Sequence, residues 1–382
     1  MRFLTAGESH GPKLIGIIEG IPAGVKIEKN EIDRALRQRQ GGPGRGGRMK
    51  IEQDEVQIVS GMRGGVTTGA PLALEIENRD WANWEKVMTW REDADLMSKK
   101  VTAPRPGHAD LAGALKYRTE VRNILERASA RETAMRVAIG SVARQLLSVL
   151  GVQIRGRVVA VGGVRALVED SPEYWQRVES SEWAVGDPEA EKKMWERLEQ
   201  ARSEGESLGG IIEIQALNLP AGLGSHVQWD RKLDGRLAQA ILSVQAIKGV
   251  SFGRGFELGD LPGSLAHDPI TYTAGYGYSR TSNNAGGIEG GMTNGENVIL
   301  TAIMKPIPTL YKPLATVDME TKEQVKASIE RSDVCAVPAA KVVLEHVVAW
   351  VLAEAVLEKF GADSYAEVED AWRRYLEYLR SI

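Results

Sequence analysis

The sequence predicts an α+β protein made of two related halves, and three observations carry that prediction. Short apolar runs between glycine turns fill the N-terminal part. Stretches with helical apolar spacing follow. A set of short motifs then returns, in the same order, later in the chain.

Residues Leu14 to Gly20 read as a buried strand closed by the turn Pro22-Ala23-Gly24. Asn30 is placed to N-cap a short helix, Glu31 to Gln40, stopped by Gly41-Gly42. Val56 to Ser60 and Pro71 to Glu77 are short strands, and Asp110 to Leu150 is helical, with Gly151 as its stop. Segment 165–207 carries twelve acids and six bases, and Asp187-Pro188 supplies the N-cap and first position of a charged, solvated helix to about Ser203. Gly210 to Leu217 is a second strand, Lys232 to Ile247 helical, and Val250 to Phe256 extended. Thr273 to Asn297 reads as a long glycine-rich loop, Leu300 to Met304 as a strand, and Pro338 to Phe360 as a long apolar helix ended by Gly361.

The repeat rests on three echoes. Gly16-Ile17-Ile18-Glu19 and Pro22-Ala23-Gly24 return as Gly210-Ile211-Ile212-Glu213 and Pro220-Ala221-Gly222. Ile32-Asp33 with Leu36 returns as Leu233-Asp234 with Leu237, and Arg127-Ala128-Ser129 as Arg331-Ser332-Asp333. On this reading residues 1–361 form one catalytic domain, 165–207 is an insertion at the junction, and 362–382 is a helical tail.

A net charge of −4 excludes a generally basic, nucleic-acid-coating protein. The single cysteine, Cys335, forms neither an intrachain disulfide nor a thiolate zinc cage, which fits a reducing cytoplasmic setting. The N-terminus has no signal-peptide pattern, and the most apolar stretch, Val342 to Leu357, is interrupted by Glu345, His346 and Glu354. No membrane or nucleic-acid partner is expected.

Chemistry concentrates in a few places. Arg34, Arg37, Arg39, Arg45 and Arg48 fall in an acid-free, glycine-interrupted segment suited to binding phosphate or carboxylate bidentately. A solvated linker or an RGG-like RNA contact is the alternative for that segment. Its G-x-G-x-x-G match follows a helix and opens none, so it is no dinucleotide signature. His10 lies in a polar glycine-bounded loop, and His108 in the stiff turn Pro104-Arg105-Pro106-Gly107-His108; both suit proton transfer. His346 reads as structural, and His226 and His267 lack metal-ligand spacing. Arg127-Ala128-Ser129 with Arg131, and Arg331-Ser332-Asp333, put arginines and hydroxyls at helix entries, an anion site. Asp333 also has a plain structural reading as the N-cap of the last long helix. Lys305-Pro306-Ile307-Pro308-Thr309 adds a stiff turn with a cation and a hydroxyl. Together these describe a cavity for a small polyanion.

Several of these segments, in order, resemble the chorismate synthase family. They are Gly7-Glu8-Ser9-His10-Gly11 with Glu19-Gly20-Ile21-Pro22, Glu126 to Thr133 with Arg136 and Gly140, and Arg331-Ser332-Asp333 followed by Glu345. The run from Arg39 to Arg48, Gly286 to Gly291, and Lys305 to Thr309 also fit. The resemblance implies helices packed between antiparallel sheets with internal pseudo-symmetry, a homotetramer, and elimination of phosphate from 5-enolpyruvylshikimate 3-phosphate to give chorismate. Reduced FMN would lend an electron that is returned as the C6 hydrogen leaves. His10 would then protonate the departing phosphate, His108 would support the reduced flavin, and Asp333 would assist removal of the C6 proton. Ser9, Arg39, Arg45, Arg48, Arg105, Arg131, Arg331 and Ser332 would bind substrate. Arg127, Ala128, Ser129, Gln245, Ala246, Gly290, Arg331 and Lys305, Pro306, Ile307, Pro308 and Thr309 would contact the flavin. A flavin- or NADPH-dependent oxidoreductase is the alternative, with Arg39 and Arg45 holding the nicotinamide nucleotide; whether NADPH serves as electron source is left open.

Overall fold

The computed structural model describes residues 1–46, 52–330, 333–361 and 363–382. Its first sheet holds strands β1 (Arg2–Ala6), β2 (Lys13–Glu19), β3 (Val56–Ser60) and β4 (Leu72–Glu77) in the antiparallel order β1-β2-β4-β3. The second contains β5 (Gln153–Val161), β6 (Val164–Arg165), β7 (Gly210–Leu217), β8 (Ile247–Phe252) and β9 (Val298–Met304), in the order β8-β9-β7-β5-β6. Remove the edge strand β6, and both sheets have one topology. Helix α1 (Lys29–Gln40) follows β2 as α7 (Leu233–Leu242) follows β7.

Between the sheets lie the two longest core helices, α4 (Thr133–Val149) and α8 (Val337–Phe360). Helix α4 packs on β2 and β4, α8 on β5 and β7, and the two helices pack on each other. The approach is close: a Cβ on Gly140 of α4 would collide with the His346 carbonyl of α8. Helix α8 is apolar on nearly every face, as a helix enclosed between layers must be.

The repeat runs deeper than the sequence echoes. Aligned on the two Pro-Ala-Gly turns, Gly7-Glu8-Ser9-His10-Gly11 corresponds to Gly205-Glu206-Ser207-Leu208-Gly209. The same alignment sets Leu14, Gly16 and Ile18 against Ile212, Ile214 and Ala216, all buried. The Gly-Ile-Ile-Glu echo is therefore out of register by coincidence. Each half also carries one matching pin. Thr67 Oγ1 donates to Pro22 O (2.6 Å) and accepts from Val25 N (2.9 Å); Thr293 Oγ1 donates to Pro220 O (2.7 Å) and accepts from Leu223 N (2.8 Å). Each threonine follows a Gly-Gly hairpin turn with both glycines in the left-handed region, Gly64-Gly65 and Gly290-Gly291.

Other boundaries differ locally. Helix α1 begins at Lys29, without a side-chain cap from Asn30. The 110–150 stretch is three helices, α2 (Asp110–Tyr117), α3 (Val121–Ala128) and α4. The expected loop 273–297 instead contains paired strands, including a hairpin of Ile270–Thr273 with Gly277–Arg280. Segment 165–207 holds two helices, α5 (Pro172–Ser180) and α6 (Pro188–Glu204), the second capped by Asp187 with Pro188 in its first turn as expected. It is more than a solvated strip, because Tyr174, Trp175, Trp183, Met194 and Leu198 bury into the main core. Helix α9 (Tyr365–Ser381) packs Val368 and Trp372 into that same core.

Candidate active site

His10 leaves β1 in a tight loop and meets the end of α3. Its Nδ1 lies 2.9 and 3.0 Å from the two Glu126 carboxylate oxygens, and its backbone N–H donates to Glu126 Oε2 (2.8 Å). Because the carboxylate only accepts, Nδ1 carries the hydrogen and Nε2 is left for chemistry. Burial works against charge on Glu126, but the His10 hydrogen bonds and Arg122 outweigh it and hold the carboxyl below its usual range. The other side of the imidazole stacks on Trp84, with ring centroids 3.8 Å apart and planes 21° apart. Arg122 reaches Glu126 Oε1 (3.4 Å) and Glu330 (3.2 Å).

His108 and Arg105 share one buried carboxylate. Asp110, the first residue of α2, accepts from Arg105 Nε (2.8 Å) and lies 2.5 Å from His108 Nδ1. Burial would raise the Asp110 carboxyl, yet hydrogen bonds from His108 and Arg105 drive it well below the usual range. Arg105 Nη1 donates to Thr309 Oγ1 (2.9 Å), and Lys305 Nζ to Gly107 O (2.5 Å). Burial, with help from Lys248, pushes the Lys305 amine down.

Asp333 does not cap the last long helix. Helix α8 starts at Val337, after Ala336. The Asp333 carboxylate instead accepts from Arg45 Nη1 (2.5 Å) and Gly46 N (2.6 Å). Arg39 and Arg131 are buried beneath. Arg39 donates to Thr133 Oγ1 (2.9 Å) and Ala130 O (2.9 Å), and Arg131 to both oxygens of Asp54 (2.6 and 2.8 Å). Burial pushes the Arg39 guanidinium down to about 9; Asp54 opposes this, while Arg131 and Arg45 add to it. Glu52, 3.7 Å from Arg131, joins Asp54 and Asp333 in pairing these three arginines within the protein.

These groups form a ring in which contacts alternate with short stretches of backbone. Ser9 Oγ donates to Ser129 Oγ (3.1 Å), which accepts from Arg131 N (3.2 Å). Across the ring, Gly44 O accepts from Val334 N, Val334 O accepts from Leu208 N, and Ser207 Oγ donates to Ile307 O (2.7 Å). Thr309 leads to Arg105, and Ser328 Oγ donates to Ala103 O (2.9 Å). Glu330, Arg122 and Glu126 close it at His10.

The expected flavin contacts fall in several places. Lys305 N donates to Ala246 O (2.9 Å), bringing Gln245-Ala246 beside Lys305-Pro306-Ile307-Pro308-Thr309. Gln245 Oε1 is buried without a hydrogen-bond partner among the described residues, and Ala246 adopts a left-handed φ of 67°. Arg127 turns outward to Thr5 O (2.9 Å) and Gly7 O (3.0 Å), with Ala128 half-buried next to it. Gly290 is not gathered with the others. It sits next to Gly291, whose carbonyl accepts from Leu233 at the start of α7, whereas Ala246 lies beyond the far end of that helix. Arg48, Arg331 and Ser332 lie outside the described residues.

Glu126, Asp110, Asp54, Arg122 and Trp84 escaped sequence reasoning as site residues. Asp110 stands two positions after His108 and Glu126 opens a matched motif, so both left a signal; Trp84 left none. No helix among the described residues is long and apolar enough to cross a membrane.

Comparison with known proteins gives one consistent result. The family described as chorismate synthase matches residues 1–357. A chorismate synthase of Desulfitobacterium hafniense (strain Y51) is 68% identical over 379 residues, 99% of each chain. One from Enterococcus faecalis is 53% identical, with all of both chains covered. A crystal structure of chorismate synthase superposes with a TM-score of 0.80 at 42% identity, covering 100% of this chain and 98% of the other.

Proposed function

The chain belongs to the chorismate synthase family, lyases of aromatic amino-acid biosynthesis, and on that premise we propose that it eliminates phosphate from 5-enolpyruvylshikimate 3-phosphate to form chorismate, with reduced FMN bound. The contact ring that unites buried cations with two carboxylate-held imidazoles and Asp333 carries this reading. Arg39, Arg45, Arg105 and Arg131, with Arg48, Arg331, Ser9 and Ser332, bind the phosphate and two carboxylates. Their charge also stabilises the phosphate as its C–O bond breaks. His10 Nε2–H gives its proton to the leaving phosphate oxygen, with Glu126 balancing the imidazolium. Asp333, oriented by Arg45 and Gly46, accepts the proton lost from C6.

The orphaned Gln245 Oε1 suits a flavin ring N–H, and Ala246, Ser129, Arg127, Ala128, Arg331 and the Lys305–Thr309 turn would hold the rest of the cofactor. When bound, reduced flavin would lend an electron to ease C–O cleavage and recover it as the C6 hydrogen leaves. His108, anchored by Asp110, offers a donor toward its anionic ring. Gly290 belongs to this set only if a second copy of the chain brings it in. The homotetramer fits here: Leu4, Ile15, Ile17 and Val59 leave the outer face of the first sheet apolar and exposed. The same reading places the enzyme in the cytoplasm, with residues 1–361 as one catalytic domain.

An NADPH-dependent oxidoreductase has weaker support, because the family matched over residues 1–357 is one of lyases. The test is anaerobic phosphate release with chemically reduced FMN. Stoichiometric phosphate and chorismate are expected, and no release from folded enzyme overturns the assignment.

A further inference from the structure

Trp84 faces the His10 imidazole, a contact the reaction as proposed does not use. It stands between a short 3-10 turn (Arg79–Asn83) and the helical turn Glu85–Met88. Its Nε1 donates to Asp80 Oδ2 (3.2 Å), and Asp80 also accepts from Asn83 (2.8 Å). Two cations lie over the indole, the Arg122 guanidinium at 5.3 Å and the Lys99 amine at 5.5 Å from its centroid. Arg122 in turn donates to Lys99 O (2.9 Å), so the stack is braced by the same arginine that contacts Glu126.

A histidine ring has two easy ways to lose its orientation. It can rotate about χ2, which exchanges Nδ1 for Cδ2 at the carboxylate, or it can swing away through χ1. Glu126 opposes the first by binding Nδ1, and its side chain is fully buried. A carboxylate alone leaves the ring free to tilt about that hydrogen bond. A flat indole at 3.8 Å, only 21° from parallel, removes that freedom.

We propose that Trp84, acting with Glu126, is a positioning residue for His10, holding Nδ1–H on the carboxylate so that the imidazolium turns its Nε2–H toward the substrate and is left as the Nδ1–H tautomer once that proton is given up. The proposal rests on His10 being the acid that protonates the departing phosphate. Asp80 sets the indole plane, the indole sets the imidazole plane, and the stack and Glu126 together keep Nδ1 on the carboxylate and so set which nitrogen carries the proton. Phenylalanine would keep a stacking face; leucine would not.

The test uses full-length enzyme with nitrogen-15 in its histidines, and the His10 signals are those lost in His10→Gln. In wild type, once the pH is raised far enough that the ring is neutral, long-range proton–nitrogen spectra should show a single Nδ1–H tautomer. In Trp84→Leu that signature should become a mixture, and kcat should fall at least about 10-fold with KM changed less than about 3-fold. Trp84→Phe should restore most of both. Trp84→Leu with wild-type tautomer and kcat overturns the proposal, as does a tautomer change that leaves kcat untouched. The spectra need no turnover: if wild type releases no phosphate with reduced FMN, the functional reading fails while the tautomer comparison still judges the stack.

Discussion

The loops Gly7-Glu8-Ser9-His10-Gly11 and Gly205-Glu206-Ser207-Leu208-Gly209 are one loop used twice, leading into the equivalent strands β2 and β7. In the first half the fourth residue is His10, held by Glu126 and Trp84. In the second it is Leu208, 3% exposed and packed in the core, with its backbone N–H donating to Val334 O (2.7 Å). The serine diverges as well: Ser9 turns toward Ser129, while Ser207 fastens Ile307 of the Lys305–Thr309 turn. The repeat thus gives a scaffold with two equivalent corners. One corner carries His10, the proposed proton donor; the other is packing that seats its neighbour.

The largest expected effect breaks this asymmetry from the other side. Asp333 holds the place in its repeat that Ser129 holds in the first. Asp333→Asn keeps the shape and can still accept from Gly46, but it cannot take a proton. Turnover should fall at least about 10²-fold with little change in melting temperature. Wild-type turnover would reduce Asp333 to an anchor for Arg45.

Exchanging the corner residues is the direct test. His10→Gln should lower phosphate release about 10²-fold. Leu208→His should gain no activity and cost about 1–3 kcal/mol in denaturant unfolding, because a polar ring enters an apolar site. A His10→Leu, Leu208→His double variant that works would show the two corners to be interchangeable, contrary to this account.

The helix pair joining the halves has a pH signature. Burial pushes His346 down to about 4. In the unfolded chain an imidazole takes up its proton near ~6.5. Between those values the unfolded state binds more protons, so stability present above that range is lost as pH falls. From pH 7 to 5 the loss should be about 2 kcal/mol, and His346→Leu should be spared it. Identical pH dependence of urea unfolding in both proteins would refute this.

The smallest effect sharpens the equivalence itself. Thr67→Val and Thr293→Val each remove one buried pin and should destabilise by similar amounts, about 1–2 kcal/mol each. A clear inequality would mean that one pin has taken on another task.

What the sequence determined by itself is local. Asp187-Pro188 starts α6, Gly151 and Gly361 follow the ends of α4 and α8, and the helical apolar spacing of α4 and the apolar run of β7 are visible, because caps and periodicity act over a few residues. Residue chemistry also marked His10, His108 and the arginines as candidates. The partners were decided by tertiary structure. His10 and Glu126 are 116 positions apart, and Arg45 and Asp333 are 288. Asp333 shows the limit most clearly: its neighbourhood in sequence reads as a helix cap, but the chain folds Arg45 and Gly46 against it and starts the helix later. Which carboxylate a buried cation meets depends on how two sheets and the helices between them pack. That packing is set by the whole apolar core, and no short segment carries it.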